Sequence, residues 1–565
     1  MVGRLYLQFA VSMCIALGFS TVVAIVLSPV LCSLLLRPAR PSKVFAPFNA
    51  VLALSQRTYL GVTRLLVRHG GIALALTALV GGGIWWLSRI VEPGFIPDED
   101  KGFFSCDVEL EPGAAIARTE KVLKEFLDSI RDIPAIDTIM LDAGMGAMSG
   151  SGENYGSAFI QLKDWSQRRG PDESQEAVIA EVRRRADEIA EARISCMAMS
   201  PLMDVGKSDG LELQFCSEQG ASGRALAQAV RRFADGVRKL SGAGEVTVSF
   251  NSDTPQIYLD IDRDKAQSFG VGVDGLFASL QSMLSAHYIN DFSHGGNNYH
   301  VVVQADNAFR SSPESLNELQ VVNKDGAFVP LASFCSFKKR PGIRQIERFN
   351  KQSSASVTVS VESGSAAELM RRIEAMPLDP GYHVEWTGIA REQRANEGRL
   401  GRLLILSCLF AYLFLVAQYE SWTLPVSILL TVLFALFGGY SALALSGATL
   451  SVYAQLGLVM LIGLAAKNAI LMVEYANAKL REGLSVEDAA LAGAKTRYRA
   501  VMMTAWSFIV GVLPLVFSSG AGCESRQTIG LVTFCGLLVA TVVGISFPPA
   551  YFALFSHRKQ KEHKK

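Results

Sequence analysis

The sequence predicts an α-helical membrane bundle of about seven spans joined to an α+β region of two ferredoxin-like (split βαβ) subdomains, the second carrying an insertion. Three observations predict it. Half of the 565 residues are hydrophobic while 19% are charged, and the mean hydropathy is +0.26, too apolar for a soluble protein and too charged for membrane helices alone. Seven stretches come near the roughly 20 apolar residues that a spanning helix needs. A long polar stretch between the second and third of them alternates strand and helix patterns.

The spans are expected at 9–36, 71–91, 403–418, 424–445, 456–475, 501–517 and 529–555. Lysine and arginine in short loops mark the cytoplasmic side. They collect at Arg37, Arg40 and Lys43, at Lys479, Arg481, Lys495, Arg497 and Arg499, and in the tail from Arg558 to Lys565. All three clusters fall on one side, so the region from Glu92 to about Arg402 lies outside the cytoplasm. Met1 begins there too, and the first span enters from the far side with nothing before it, which reads as a chain missing its beginning. Between the first two spans Phe48, Leu52, Tyr59, Val62 and Leu66 recur at helical spacing, with Arg57, Arg64 and Arg68 on another face. That segment is a helix lying along the cytoplasmic membrane surface or a linker packed on the bundle.

After the second span the pattern reads strand 103–110, helix 114–131, strands 136–141 and 157–162, helix 173–189 and strand 193–199, the split βαβ order. A second copy opens with strand 211–216, helix 222–240 and strand 245–250, and closes with strand 354–361, helix 366–376 and strand 383–386. It is interrupted at 253–340 by strands at 256–261 and 299–304 and a hairpin turning on Lys324, Asp325 and Gly326. The division is therefore 1–36 span, 37–70 linker or interfacial helix, 71–91 span, 92–200 first subdomain, 201–252 with 341–390 second subdomain, 253–340 insertion, 400–555 five-helix bundle and 556–565 basic tail. Within the first copy the run from Gly144 through Gly146, Gly150 and Gly152 to Asn154 and Gly156 is glycine-rich. It joins two strands and opens no helix, so it is not a phosphate cradle. A gate over a ligand path and a plain flexible hairpin both fit it.

Net charge +1 supplies no global field for nucleic acid. The nine cysteines show no CxxC or zinc spacing and read as lone buried thiols. His287, His294 and His300 lack ligand spacing, and no constellation of nucleophile and base appears, so an enzyme and a resident metal or other cofactor are not expected.

Segments 20–34 and 540–554 match at Thr21/Thr541, Val22/Val542, Val23/Val543, Ile25/Ile545, Pro29/Pro549 and Leu34/Leu554. Repeated halves are a common transporter plan. If the first helix matches the last, it closes an earlier half. Inside the fifth span stands Lys467, followed by Asn468 and, two turns on, Glu474. Burying a lysine at that depth costs about 2.5–3.5 kcal/mol, and intramembrane ionisable groups mark ion paths. Glu474 lies near the cytoplasmic end within reach of Arg497, and Thr504 and Ser507 on the next span offer hydroxyls. No acid in the predicted spans fits the depth of Lys467. An acid from elsewhere would pair with Lys467 while ionised and release it toward Asn468 or Thr504 on protonation.

Six motifs then coincide: Phe95-Ile-Pro-Asp-Glu-Asp100, Lys163-Asp-Trp165, 260–266 (Asp-Ile-Asp-Arg-Asp-Lys-Ala), Tyr419-Glu-Ser-Trp422, 463–474 and 514–522. Together they resemble the resistance-nodulation-division exporters, hydrophobe/amphiphile efflux branch, over the second half of the family's twelve-span plan. The resemblance implies an inner-membrane proton antiporter that exports amphiphilic compounds and works as a homotrimer with a periplasmic adaptor and an outer-membrane channel. It makes the α+β region a periplasmic porter and 253–340 a docking subdomain. It makes Lys467, with Asn468, Thr504 and Arg497, a proton relay facing an aspartate pair in a missing N-terminal half. It makes Gly144, Gly146, Gly150, Gly152 and Asn154 a switch loop, and Phe159 a drug-pocket residue. Met145, Met148, Met197 and Met199 stand where relatives usually place phenylalanines, so a broad apolar pocket remains. Thioethers also suit Cu(I) or Ag(I), which leaves a soft-metal exporter as an alternative. An uncoupled membrane binding module and an inactive product of an interrupted gene are the others.

Overall fold

A computed structural model describes residues 2–35, 46–97, 99–147, 150–199, 210–218, 220–250, 252–310, 312–362, 365–396 and 398–562. Met148, the basic residues 37, 40 and 43, and the end of the tail lie outside the described residues. Among the described residues, seven helices are long and apolar enough to cross a membrane. The first runs as α1 (Val2–Val22), widens into a π-helical turn over Val23–Leu27 and ends as α2 (Ser28–Leu35). Pro29 lacks an amide proton and its ring crowds the carbonyl of Ile25, which accounts for the widened turn. Next come α3 (Ala46–Arg68) and the second span, α4 (Gly70–Ile90).

The chain then builds β1 (Phe103–Leu110), α5 (Ile116–Ile130), β2 (Ile136–Gly146), β3 (Gly150–Leu162), α6 (Gln175–Ala186) and β4 (Ala192–Ala198). The antiparallel sheet has the order β2-β3-β1-β4. Alternation fixes its sides. Phe104, Cys106, Val108 and Leu110 are buried against Val122, Phe126 and Ile130 of α5 and Val178 and Val182 of α6. Ser105, Asp107 and Glu109 therefore point to the face that the helices leave open.

A second unit follows with β5 (Leu211–Ser217), α7 (Gly223–Val237) and β6 (Ala243–Val248). Its interruption contains β7 (Thr254–Ile261), α8 (Arg263–Ser268), α9 (Val273–Leu284), the hairpin β8 (His287–His294) with β9 (Asn297–Val303), the short pair β10 (Gln320–Val322) and β11 (Phe328–Pro330), and β12 (Cys335–Gly342). The chain then returns to the sheet of the unit with β13 (Glu347–Phe349). It closes with β14 (Gln352–Val361), α10 (Ala366–Glu374) and β15 (Tyr382–Thr387). Here β14 lies between β6 and β5, and β15 flanks β5, so the strands repeat the order of the first sheet. The interruption has a core of its own around Leu276, Leu316, Val321 and Leu331.

α11 (Gly388–Asn396) packs on β5 and β15 with Ala390 in the core of the second unit, and the bundle resumes with α12 (Arg399–Tyr419), α13 (Leu424–Ser446), α14 (Val452–Arg481), α15 (Val486–Val516), α16 (Cys523–Val542) and α17 (Pro548–Glu562). Ser451 and Ser485 cap α14 and α15 through their hydroxyls. The core of the bundle joins α13, α14 and α16, where Gly438, Gly439 and Gly536 bring backbones close.

Three expectations need correction. The last apolar stretch is not one helix over 529–555: α16 gives way to a tight turn at Gly544–Ser546 and restarts at Pro548 as α17, because Pro548 and Pro549 cannot donate into the helical ladder. The irregular turn at Val23–Leu27 begins on the last valine of the Thr-Val-Val of its matched segment, and that at Gly544–Ser546 just after it. Val62 does not share the packed face of α3; it is 46% exposed, while Tyr59 stacks on Tyr498 at 4.6 Å. Cys106 and Cys196 are not lone thiols: they stand opposite each other on β1 and β4 and form a disulfide.

Residues 92–97, Glu99 and Asp100 join the two parts. The backbone of Leu450 donates to Glu92 at 2.8 Å and that of Val452 to Phe95 at 2.9 Å. Ser525 at the start of α16 donates to Glu99. Asp100 accepts two hydrogen bonds, 2.9 and 3.1 Å, from the guanidinium of Arg168, whose side chain is 2% exposed.

Candidate functional site

Two groups of polar residues stand where apolar surroundings make them costly. The first is in the bundle. Lys467 lies 15 residues into the 30-residue α14, about 22 Å along its axis, with Gly463 and Glu474 on the same exposed stripe. Lys467 has no hydrogen bond or ion pair among the described residues. Its neighbour Asn468 turns inward and is buried. Thr504 on α15 is exposed and satisfies its hydroxyl within its own helix, on the carbonyl of Val501 at 3.0 Å. Arg497 stacks over the ring of Tyr475 at 5.1 Å rather than pairing with Glu474, and its Nε is buried without a partner among the described residues. The structure thus places Asn468 beside Lys467 on α14 and Thr504 on the adjacent helix, and joins none of them by a hydrogen bond. Lys467, Thr504 and Ser507 all point out of the seven-helix bundle.

The second group lines the open face of the first sheet. Register builds three cross-strand rows there. Met140, Phe159, Ser105 and Met197 form the first; Asp142, Ser157, Asp107 and Ser195 the second; Tyr155, Glu109 and Arg193 the third. Phe159 and Met197 are therefore brought together, and Met199 accepts from the Ser105 hydroxyl at 3.4 Å. Met145 lies apart, 51% exposed on β2.

The described residues of the glycine-rich segment, 144–147 and 150–156, form the two arms of a hairpin. Gly144, Gly150 and Gly152 have positive φ, and Met145 pairs with Ser151 and Gly146 with Gly150. A bulge between Ala143 and Met145 bends the hairpin. A straight strand would carry Ala147 roughly 16 Å past the row of Asp142, yet the amide of Ala147 donates to Asp107 Oδ1, in that row, at 2.7 Å. The arm ending at Ala147 is therefore folded back over the sheet, where Asp107, Ser105 and Ser157 are buried. The base of the hairpin is held from the second unit: Arg344 donates to Asn154 Oδ1 at 3.0 Å, covers the Tyr155 ring at 5.4 Å and lies where a Cβ on Gly152 would be.

Asp107, Glu109, Arg193 and Arg344 were missed by the sequence reading. The signal was Asp107 and Glu109 at alternate positions of a strand whose other positions are apolar. Arg193 pairs with Glu245 of β6 at 3.1 Å, and Ser195 donates to the same carboxylate. Burial raises the Glu109 carboxyl above its usual range, opposed by Arg193 and by a hydrogen bond from Tyr155. Ser105, Asp107, Glu109, Arg193, Ser195, Met197 and Thr247 enclose a cavity of about 20 Å³, room for roughly one water. A wider cleft of about 660 Å³ continues between the two units past Arg193 and Glu245.

A profile of the AcrB/AcrD/AcrF family matches residues 1–556. The chain is 32% identical over 567 residues to the multidrug export protein AcrF of Escherichia coli (strain K12), covering 98% of this chain and 54% of that protein. It is 31% identical over 571 residues to the toluene efflux pump membrane transporter TtgB of Pseudomonas putida, with 98% and 54% covered, and 31% identical to the multidrug resistance protein MdtF of Escherichia coli (strain K12), with 98% and 55% covered. The chain spans about half the length of the curated relatives it matches.

Proposed function

The chain belongs to the AcrB/AcrD/AcrF family of efflux transporters, and from that premise we propose that it is the C-terminal half of a proton-driven multidrug exporter in a bacterial inner membrane. The observation that carries this reading is Lys467: without a hydrogen bond or ion pair among the described residues, in the middle of an apolar helix, on a surface the seven helices leave open. Lipid is a poor neighbour for an ammonium at that depth, so the surface is covered by a further set of helices that brings a carboxylate. Ionised, that acid pairs with Lys467. Protonated, it lets go, Lys467 turns toward Asn468 and Thr504, and the two helix sets shift. Each proton moving inward supplies about 2.3 kcal/mol per 100 mV.

The α+β region is the periplasmic porter. Oxidising compartments preserve disulfides, so the Cys106–Cys196 bond supports a place outside the cytoplasm, in agreement with the basic loops. Cargo enters along the wider cleft and meets Phe159, Met197 and Met199. The hairpin arms 144–147 and 150–154 serve as the gate, held at Ala147 by Asp107 and at Asn154 by Arg344. Residues 92–100, tied to α16 through Glu99 and to the first unit through Asp100, carry helix movement to the cleft. The unit at 253–340 is the docking subdomain; its free-standing hairpin β8–β9, exposed on both faces, suits contact within a homotrimer that meets a periplasmic adaptor and an outer-membrane channel.

The test is drug accumulation in an efflux-deficient host. The chain with a first half of the family lowers accumulation, the chain alone does not, and Lys467→Ala in the pair restores accumulation to the level of the empty host at equal protein abundance. Export that survives Lys467→Ala overturns the proton coupling proposed here.

A further inference from the structure

α3 has three faces, and only one of them is occupied. Leu52, Ser55, Tyr59, Thr63, Leu66 and Val67 pack on the bundle, with the Tyr59–Tyr498 stack and a hydrogen bond from Gln56 to the carbonyl of Lys495 at 2.8 Å. A second stripe, Val51, Leu54, Val62 and Leu65, is apolar and 46–67% exposed. Beside it runs a third, Arg57, Arg64 and Arg68, exposed and without hydrogen bonds or ion pairs among the described residues. α3 contains no acidic residue that could neutralise them.

The depth of the helix is set by what it touches. Tyr59 donates to Met472 Sδ, about 8 Å along α14 from Lys467 toward the basic end. On α15 it meets 495–498, just before the apolar run that begins near Val501. Exposed Lys495 and Arg499 stand at the same level. α3 therefore lies at the boundary of the hydrocarbon, where its apolar stripe faces acyl chains and its arginine stripe the adjoining polar layer.

We propose that Arg57, Arg64 and Arg68 of α3 form a binding surface for the phosphate headgroups of anionic phospholipid. The inference rests on the membrane placement above and adds a ligand to it. Guanidinium groups bind phosphate oxygens in a two-pronged geometry that an ammonium lacks, and all three are unengaged on one stripe. Zwitterionic lipid returns a positive charge with each phosphate and is held less well. Since α3 is stacked on α15 and meets α14 at Met472, this surface bears on the two helices that carry Thr504 and Lys467.

The full chain is reconstituted in phosphatidylcholine bilayers doped with either a photoactivatable phosphatidylglycerol or a phosphatidylcholine carrying the same photoactivatable tail, irradiated, and its labelled peptides mapped. The phosphatidylglycerol probe labels 46–68 in preference to the phosphatidylcholine probe by on the order of a hundredfold, the value for three arginines at a membrane surface. Arg57→Gln/Arg64→Gln/Arg68→Gln removes the preference and the lysine triple variant keeps part of it. Wild-type label without headgroup preference on 46–68 overturns the proposal whether or not the glutamine variant folds. A preference that persists in a folded glutamine variant also overturns it. Absence of label from both probes removes the membrane placement and this surface with it.

Discussion

Glu109 lies under the hydroxyl of Tyr155 with its carboxyl raised by burial. In the folded protein it holds its proton more tightly than in the unfolded chain, so folding stability falls as pH climbs from the ordinary carboxylate range through the raised value. Above both, ionised Glu109 is a net cost, lightened by Arg193. Glu109→Gln is thus expected to raise the melting temperature of the detergent-solubilised chain at neutral pH and to leave it unchanged in acid; an effect of equal size at both pH values would assign the gain to something other than ionisation. Asp107 differs by two residues and by role, because its carboxylate already accepts the Ala147 amide. Asp107→Asn retains an oxygen acceptor but loses the charge, which weakens the bond to the scale of a neutral one, by about 1 kcal/mol. Faster hydrogen exchange at 145–151, with the exchange of β1 unchanged, is the expected outcome.

Pairing β1 with β4 sets Cys106 against Cys196 and places the walls of the narrow cavity, Ser105 and Asp107 on one strand and Ser195 and Met197 on the other, on either side of the bond. The bond closes a separation of 90 residues, and Cys106→Ala/Cys196→Ala is expected to destabilise the first unit by about 2–4 kcal/mol, read from its denaturation midpoint. A midpoint within error of wild type would leave the bond without a structural part. Such pairings are not legible from cysteine spacing, since they depend on register, and register depends on which strands become neighbours. The strands and amphipathic helices were legible because each carries its own period: Phe103–Leu110 was read to the residue. The hairpin tip was not. Its fold-back requires a bulge at Ala143 and an arginine 190 residues beyond Asn154, and neither leaves a local trace. Lys467 stood out in the sequence for the opposite reason: its anomaly is a charge within one apolar run.

As a whole molecule the bundle is unevenly covered. α13, α14 and α16 are packed among other helices, while α12, α15 and the α1–α2 helix expose most of their surface, the last held chiefly where Tyr6 donates to Gln455 at 3.0 Å. A photoactivatable benzophenone side chain placed at Gly463, one turn before Lys467, is expected on irradiation to insert into a C–H bond of a helix of the proposed first half when the two are co-expressed, and to yield no such product from the chain alone. Cross-links that form instead only from Leu406 or Phe410 of α12 would put the partner on a different face.

The hydrogen bond from Ala147 to Asp107 also sets an energy threshold. A bond to a charged group is worth about 1.5–3 kcal/mol, and a proton descending 100 mV delivers about 2.3 kcal/mol. Thermal agitation alone leaves such a bolt shut most of the time, and under the proposed proton coupling one downhill proton brings energy of the same order as the bond. The cavity behind that bolt holds about one water, so in the exporter proposed here idling would be set by the strength of one hydrogen bond rather than by the size of the cargo.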